Sequence, residues 1–318
     1  VLRLVLRRLL RSVPVVVLAS IAVFATVRAS SDPLAVRAPG ARIEDVARVR
    51  EQLGLDEGPV QQYLRWAGQA VRGDLGTSVQ TGRPVWPDLR AALWASVQLG
   101  AAGLLLALLG GVGLGLLGAL RRGWPARLLS GSSLVALSIP TFVVAFVLQL
   151  VLVRWWRGWF DSTPFFTSRM SSPGQSGLVD RLRHLALPAV AVAVQGIAVY
   201  ARHLRASLGD VLAEPWIEAA RARGLGERRV VLTHALRSAL VPLTTVAALD
   251  AGVLIGGLVV TERVFQWPGM GTYFLRALAD GDAVRVLPWA MVVVLGVVLA
   301  NVLGEVLHGV LDPRVRAS

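Results

Sequence analysis

Six apolar runs, near residues 9–27, 97–120, 132–153, 185–204, 239–261 and 287–310, alternate with polar stretches along the chain. Each can cross a hydrocarbon core, which takes about 20 helical residues. No water reaches backbone groups at that depth, so each run is expected to be helical. The pattern predicts an all-α membrane protein with six transmembrane helices and both termini on one side. Between the first two runs, "IEDVARVREQLG" and "PVQQYLRWAGQAVRG" repeat apolar residues at helical spacing, with Val46, Val49 and Leu53 on one face. "DEGP" and "GDLG" supply turns. The expected organisation is therefore 1–29 as N-terminus and first span, 30–95 as a helical loop over the outer mouth, and 96–318 as a transmembrane core. That core contains a polar loop at 205–238.

Composition sharpens the membrane reading. Hydrophobic residues make up 54% of the 318, charged residues only 17%, too few charges to coat a soluble domain of this size. The formal charge is +13 and every one of the 33 basic residues is Arg. These arginines sit at the ends of apolar runs rather than along one stripe, which argues against nucleic-acid binding and for membrane topology. Placing the N-terminus in the cytoplasm puts sixteen Arg on the inner segments and eight on the two shorter outer loops. The longer outer loop carries little weight in this comparison. Both termini are expected in the cytoplasm.

Catalytic chemistry finds no support. Without Lys there is no standard phosphate-binding P-loop, and the four His residues form no zinc-binding spacing. Nor is there a Gly-x-Ser-x-Gly nucleophile elbow. Polar residues within the runs are few, and Gln149, Gln195 and Asp250 are candidates for a translocation pathway. Ionisable groups at membrane depth face an aqueous path, a bundle interior or a partner charge. Asp250 lies about 16 Å into its run at helical rise. Pathway and structural pairing are both open for it. The glycines of "GLLLALLGGVGLGLLG" suit close helix packing more than a hinge.

"EPWIEAARARGLGERR" interrupts the apolar pattern with charge. Pro215 suits a helix start, and Gly224 and Gly226 bracket Leu225 where a helix can end and the chain turn. "EAARARG" resembles the loop by which permeases of ATP-binding-cassette importers engage their ATPases. "ARARGLGERRVVLTHALRSALVP" resembles the dipeptide/oligopeptide/nickel branch of that family. In it, His234, Ala235, Leu236 and Arg237 stand where the general loop has Ile-x-Leu-Pro. "LGLDEGPVQQYLRW", "RGDLGTS", "SIPTF", "TERVFQWPGMG" and "LDPRVR" extend the likeness over almost the whole chain. Trp94-Ala95-Ser96 depart from the usual Pro and Thr before the second span. Glu305 and His308 replace a common Asp and Tyr.

The resemblance implies a type I importer permease fold in a bacterial inner membrane, importing peptides. A nickel or glutathione importer is the alternative within the branch, and a secondary transporter or channel the alternative outside it. Glu218, Ala219, Ala220, Arg223, Gly224, Leu225 and Arg228 would form the coupling helix and its turn. The implied partners are a second homologous permease, two ATPase subunits and an extracytoplasmic substrate-binding protein. ATP and Mg would be bound by the ATPases, with no cofactor in this chain.

Overall fold

A computed structural model describes residues 2–30, 57–120, 123–159, 165–166, 168–172 and 177–311. Val46, Val49, Leu53 and the terminal "LDPRVR" beyond Leu311 lie outside the described residues, as do the side chains of Glu305 and His308. Helices α1 (Leu2–Ser30), α2 (Pro59–Val71), α3 (Val85–Leu120) and α4 (Trp124–Ser138) lead to α5 (Thr141–Phe146). A π-helical turn, Val147–Leu152, joins α5 to α6 (Val153–Trp159). Next come α7 (Leu178–Leu212), α8 (Pro215–Ala222) and α9 (Glu227–Arg229), then a second π-helical turn at Val230–Ala235. The chain ends with α10 (Leu236–Gly257), α11 (Val259–Val264), α12 (Met270–Ala279) and α13 (Ala283–Leu311).

Five of these segments are long and apolar enough to cross a membrane, and a sixth crossing is made only if α4 and the following helices act as one bent span. The run 132–153, expected as one helix, breaks at Ser138–Thr141, and its halves meet at 98°. The physical cause is Pro140, whose ring drives the preceding residue out of the helical region. Ile139 accordingly has ψ of 120°. Gln195 on α7 stabilises the break: its Nε2 donates to the Ile139 carbonyl at 2.8 Å, and its Oε1 accepts from Thr141 Oγ1 at 2.9 Å. A backbone group freed at membrane depth needs such a partner.

The centre is a parallel seam between α3 and α7. A Cβ at Gly103 would lie 2.6 Å from Val192 Cγ1, and one at Gly111 only 2.5 Å from Tyr200 Cβ. Further along, Gly115 meets Leu204 and the carbonyl of Ala201, and Gly118 meets Arg205. The expected close packing is thus realised, and it brings the C-terminal ends of α3 and α7 to the same side. α10 and α13 pack antiparallel in the same manner, with Gly252 beside Ala300 and Gly256 beside Val293.

At the opposite end, α3 begins at Val85, within the stretch expected to be loop. Val85, Leu89 and Ala92 form a buried cluster with Met270 and Tyr273 of α12. Thr77 and Pro84 make an isolated antiparallel bridge there, and Ser78 Oγ donates to Asp282 Oδ2 at 2.5 Å. α2 leans on α1 instead of this cluster: the hydroxyls of Ser20 and Tyr63 are 2.8 Å apart.

Candidate functional site

The polar loop is built from its buried side outward. Ile217 and Ala220 of α8 are 0% and 1% exposed. They pack with Val230, Val231 and Ala235 of the π-helical turn and with Leu204 and Leu208 of α7. Leu225 is half-buried against the same cluster. Two adjacent turns of apolar residues thereby seat the loop on the ends of α3 and α7. Glu218, Ala219, Arg223, Gly224 and Arg228 remain exposed on the other side. The sequence-expected residues thus divide: Ala220 and Leu225 anchor, and the other five form an outward surface.

The turn is fixed by two devices. Gly224 has φ of +81° with no heavy atom near its missing Cβ. Its constraint is therefore backbone conformation and not space, since a left-handed φ is strained for residues with a Cβ. Arg221 closes the turn from the side. Its Nε and Nη2 donate to the two carboxylate oxygens of Glu227 at 2.9 and 2.7 Å. The carboxylate raises the pKa of Arg221. Such an exposed pair contributes little stability, but its two parallel bonds set geometry. The local pattern does not announce this pairing, because a six-residue separation matches no helical neighbour spacing.

The three intramembrane candidates do not converge. Asp250 accepts a hydrogen bond from Tyr200 Oη at 2.7 Å, from α7 to α10. Gln195 spans the α4–α5 break, and Gln149 Nε2 donates to the Val264 carbonyl at 3.3 Å. A cavity of about 620 Å³ opens between α3, α4 and α7, lined among others by Leu114, Leu129, Ser133, Arg202 and Arg205. None of the three candidates lines it. Arg205 hydrogen-bonds Ser130 of α4 across this cavity's edge.

A buried polar cluster at the far end carries no signal in local pattern. Glu262 on α11 is 0% exposed. Its carboxylate accepts from Ser96 Oγ of α3 and from the backbone N–H of Thr272. Ser96 Oγ also accepts from the Met270 N–H at 2.7 Å, and Trp267 Nε1 donates to the Ala95 carbonyl at 2.8 Å. "TERVFQWPGMG" is therefore a loop wrapped around a carboxylate and pinned to α3. Burial raises the pKa of Glu262, opposed by hydrogen bonds from Ser96, Thr272 and Gly271.

No group of three or more His, Cys, Asp or Glu suited to a metal occurs among the described residues. What the site offers is a rigidly seated, charged turn at one end of a helical bundle. Residues 111–317 match the family described as binding-protein-dependent transport system inner membrane component. The chain belongs to that family. The oligopeptide transport system permease protein OppB of Mycobacterium tuberculosis is 36% identical over 337 residues, covering 99% of both chains. The dipeptide transport system permease protein DppB of Escherichia coli K12 is 33% identical over 335 residues, with the same coverage. A solved structure of the MetNI methionine ABC transporter, in an inward-facing conformation, superposes with a TM-score of 0.56 at 18% identity. It covers 70% of this chain and 96% of that one. This family member accordingly has the type I ABC importer permease fold, and is a multi-pass inner membrane transport component.

Proposed function

We propose that this chain is one of two permease subunits of an ATP-driven peptide importer and forms half of its translocation pathway. The observation that carries the reading is full-length similarity to peptide permeases, joined to an outward-facing loop seated on buried Ile217 and Ala220. A second homologous permease completes the pathway, an extracytoplasmic binding protein delivers the peptide, and two cytoplasmic ATPases bind ATP and Mg. The chain itself performs no bond chemistry.

Glu218, Ala219, Arg223, Gly224 and Arg228 meet an ATPase groove, and Ala220 and Leu225 transmit its movement to α3 and α7 through the buried cluster. Transport follows from two arrangements of the bundle, biased by ATP on the partners. Both termini face the cytoplasm with this loop.

The test is uptake of labelled peptide into proteoliposomes holding the full complex, with binding protein outside and ATP within. Peptide uptake that requires ATP and the binding protein is expected. Uptake of nickel or glutathione but not peptide would overturn the substrate class, and uptake without ATP would overturn the importer reading.

A further inference from the structure

α2 has three faces. At about 100° per residue, Tyr63, Trp66 and Ala70 lie on the side that meets α1. There Phe24 packs against Tyr63 and Trp66 at centroid distances of 5.6 and 5.9 Å. Gln61, Arg65 and Gln69 form a polar arc, on which Arg65 pairs with Glu57. Val60, Leu64, Ala67 and Val71 form a third, apolar stripe. Val60, Leu64 and Val71 are 69%, 62% and 89% exposed. α1 cannot cover this stripe, because it already occupies the neighbouring face.

The position of α2 along α1 identifies the missing neighbour. Ser20 and Phe24 lie inside a segment apolar enough to span a membrane, Leu6–Ala29. From Arg28, they are about 12 and 6 Å along the axis at helical rise. In-plane amphipathic helices bury their apolar faces about 5–10 Å into the headgroup–acyl boundary, where Tyr and Trp also concentrate. The polar arc lies well over 90° around α2 from the centre of the apolar stripe, as a helix with water above and acyl chains below requires.

We propose that α2 is an in-plane membrane helix whose Val60–Leu64–Ala67–Val71 stripe contacts lipid acyl chains. The parallel seam of α3 and α7 puts the start of α3 opposite the Glu218–Arg229 loop. Residues 72–84 join α2 to that start, so the leaflet is the one opposite the loop. Beside α1, the helix holds the outer segment at the membrane surface. The inference rests on the membrane placement of the bundle and not on the cargo, so it stands whichever solute is carried.

The chain has no Cys, which makes site-specific labelling direct. In the complete transporter in nanodiscs, an environment-sensitive fluorophore is placed at Val60→Cys, Leu64→Cys, Ala67→Cys and Val71→Cys. Gln61→Cys, Arg65→Cys and Gln69→Cys serve for comparison, and signal from the complex with no introduced Cys is subtracted. Lipids carrying a quencher high on the acyl chain should quench the first group at least about twofold more, with blue-shifted emission. Ala67→Cys is nearly isosteric and keeps the test open if a larger truncation prevents assembly. Water-like emission at every position would overturn the proposal, leaving a solvated helix. Blue-shifted emission without lipid quenching would also overturn it, because protein and not lipid would then cover the stripe.

Discussion

Ser96 on α3 donates a hydrogen bond to the carboxylate of Glu262, 166 residues later and wholly buried. The same hydroxyl receives the Met270 N–H, so one side chain ties the start of a membrane-spanning helix to both ends of the loop between α11 and α12. Ser96 belongs to the Trp94-Ala95-Ser96 stretch ahead of the second apolar run. Ala95 contributes too, through its carbonyl to Trp267.

Removing that carboxylate leaves the Ser96 hydroxyl and the Thr272 N–H without their acceptor. An orphaned buried polar group costs about 1–3 kcal/mol. Glu262→Ala is expected to lower the thermal midpoint of the purified complex markedly, and Ser96→Ala less so. The double variant should fall short of the sum, as expected for groups in one network. Additive losses would show that the two residues act independently.

pH provides a second readout of the same group. Burial raises Glu262 above the ordinary carboxylate value, so the folded state holds its proton more tightly than the unfolded chain does. Its contribution is fully present below the unfolded value, about 4.3, and is lost as pH rises through the raised folded value. Relative to Glu262→Gln, wild type should therefore lose stability as pH rises from about 4 toward neutrality. A difference that is flat or opposite in sign over this range refutes the assignment.

The α3–α7 seam predicts an asymmetry between glycines two residues apart. A Cβ at Gly111 would meet Tyr200 Cβ at 2.5 Å, whereas one at Gly113 would meet nothing within 4 Å. Gly111→Val is expected to destabilise by about 1–3 kcal/mol, as overpacking does, and Gly113→Ala to be neutral or slightly stabilising. Thermal melts of the complex in detergent distinguish the two directly.

Gly224 and Gly226 offer a similar contrast in the Glu218–Arg229 loop. Gly224 has φ of +81°, and Gly226, the N-cap of α9, has φ of −64°. Gly224→Ala should strain the turn by about 1–2 kcal/mol and reduce peptide-stimulated ATP hydrolysis, while Gly226→Ala retains it. Glu218→Arg, on the exposed surface, should weaken ATPase docking without affecting binding-protein affinity. Full transport by Gly224→Ala and Glu218→Arg at normal expression would remove this loop from coupling.

Asp250 is held by the Tyr200 hydroxyl. Tyr200→Phe strips that donor from a carboxylate at membrane depth and should destabilise the complex, whereas adding Asp250→Asn should recover part of the loss. If Asp250 also serves the pathway, Asp250→Asn alone slows uptake of peptides with free amino termini more than N-acetylated ones. Equal transport of both confines the residue to structural pairing.

Much of this protein is legible locally. Apolar run length determines membrane helices, because every backbone group at that depth needs an intrahelical partner. Pro215 and Gly224 mark a helix and its turn, because proline and a left-handed φ constrain the backbone residue by residue. The glycine-rich run in α3 announces close packing, since a missing Cβ can be read from the sequence alone. Other features depended on which helices met. The α3–α7 pairing turned Gly111 and Tyr200 into neighbours, and Gln195 became the partner for a break that Pro140 created 55 positions earlier. Along the chain, Glu262 simply follows the apolar run 239–261. Its burial arises because α3 and α12 close over it, and a carboxylate's environment is set by what surrounds it in space rather than by its neighbours along the chain.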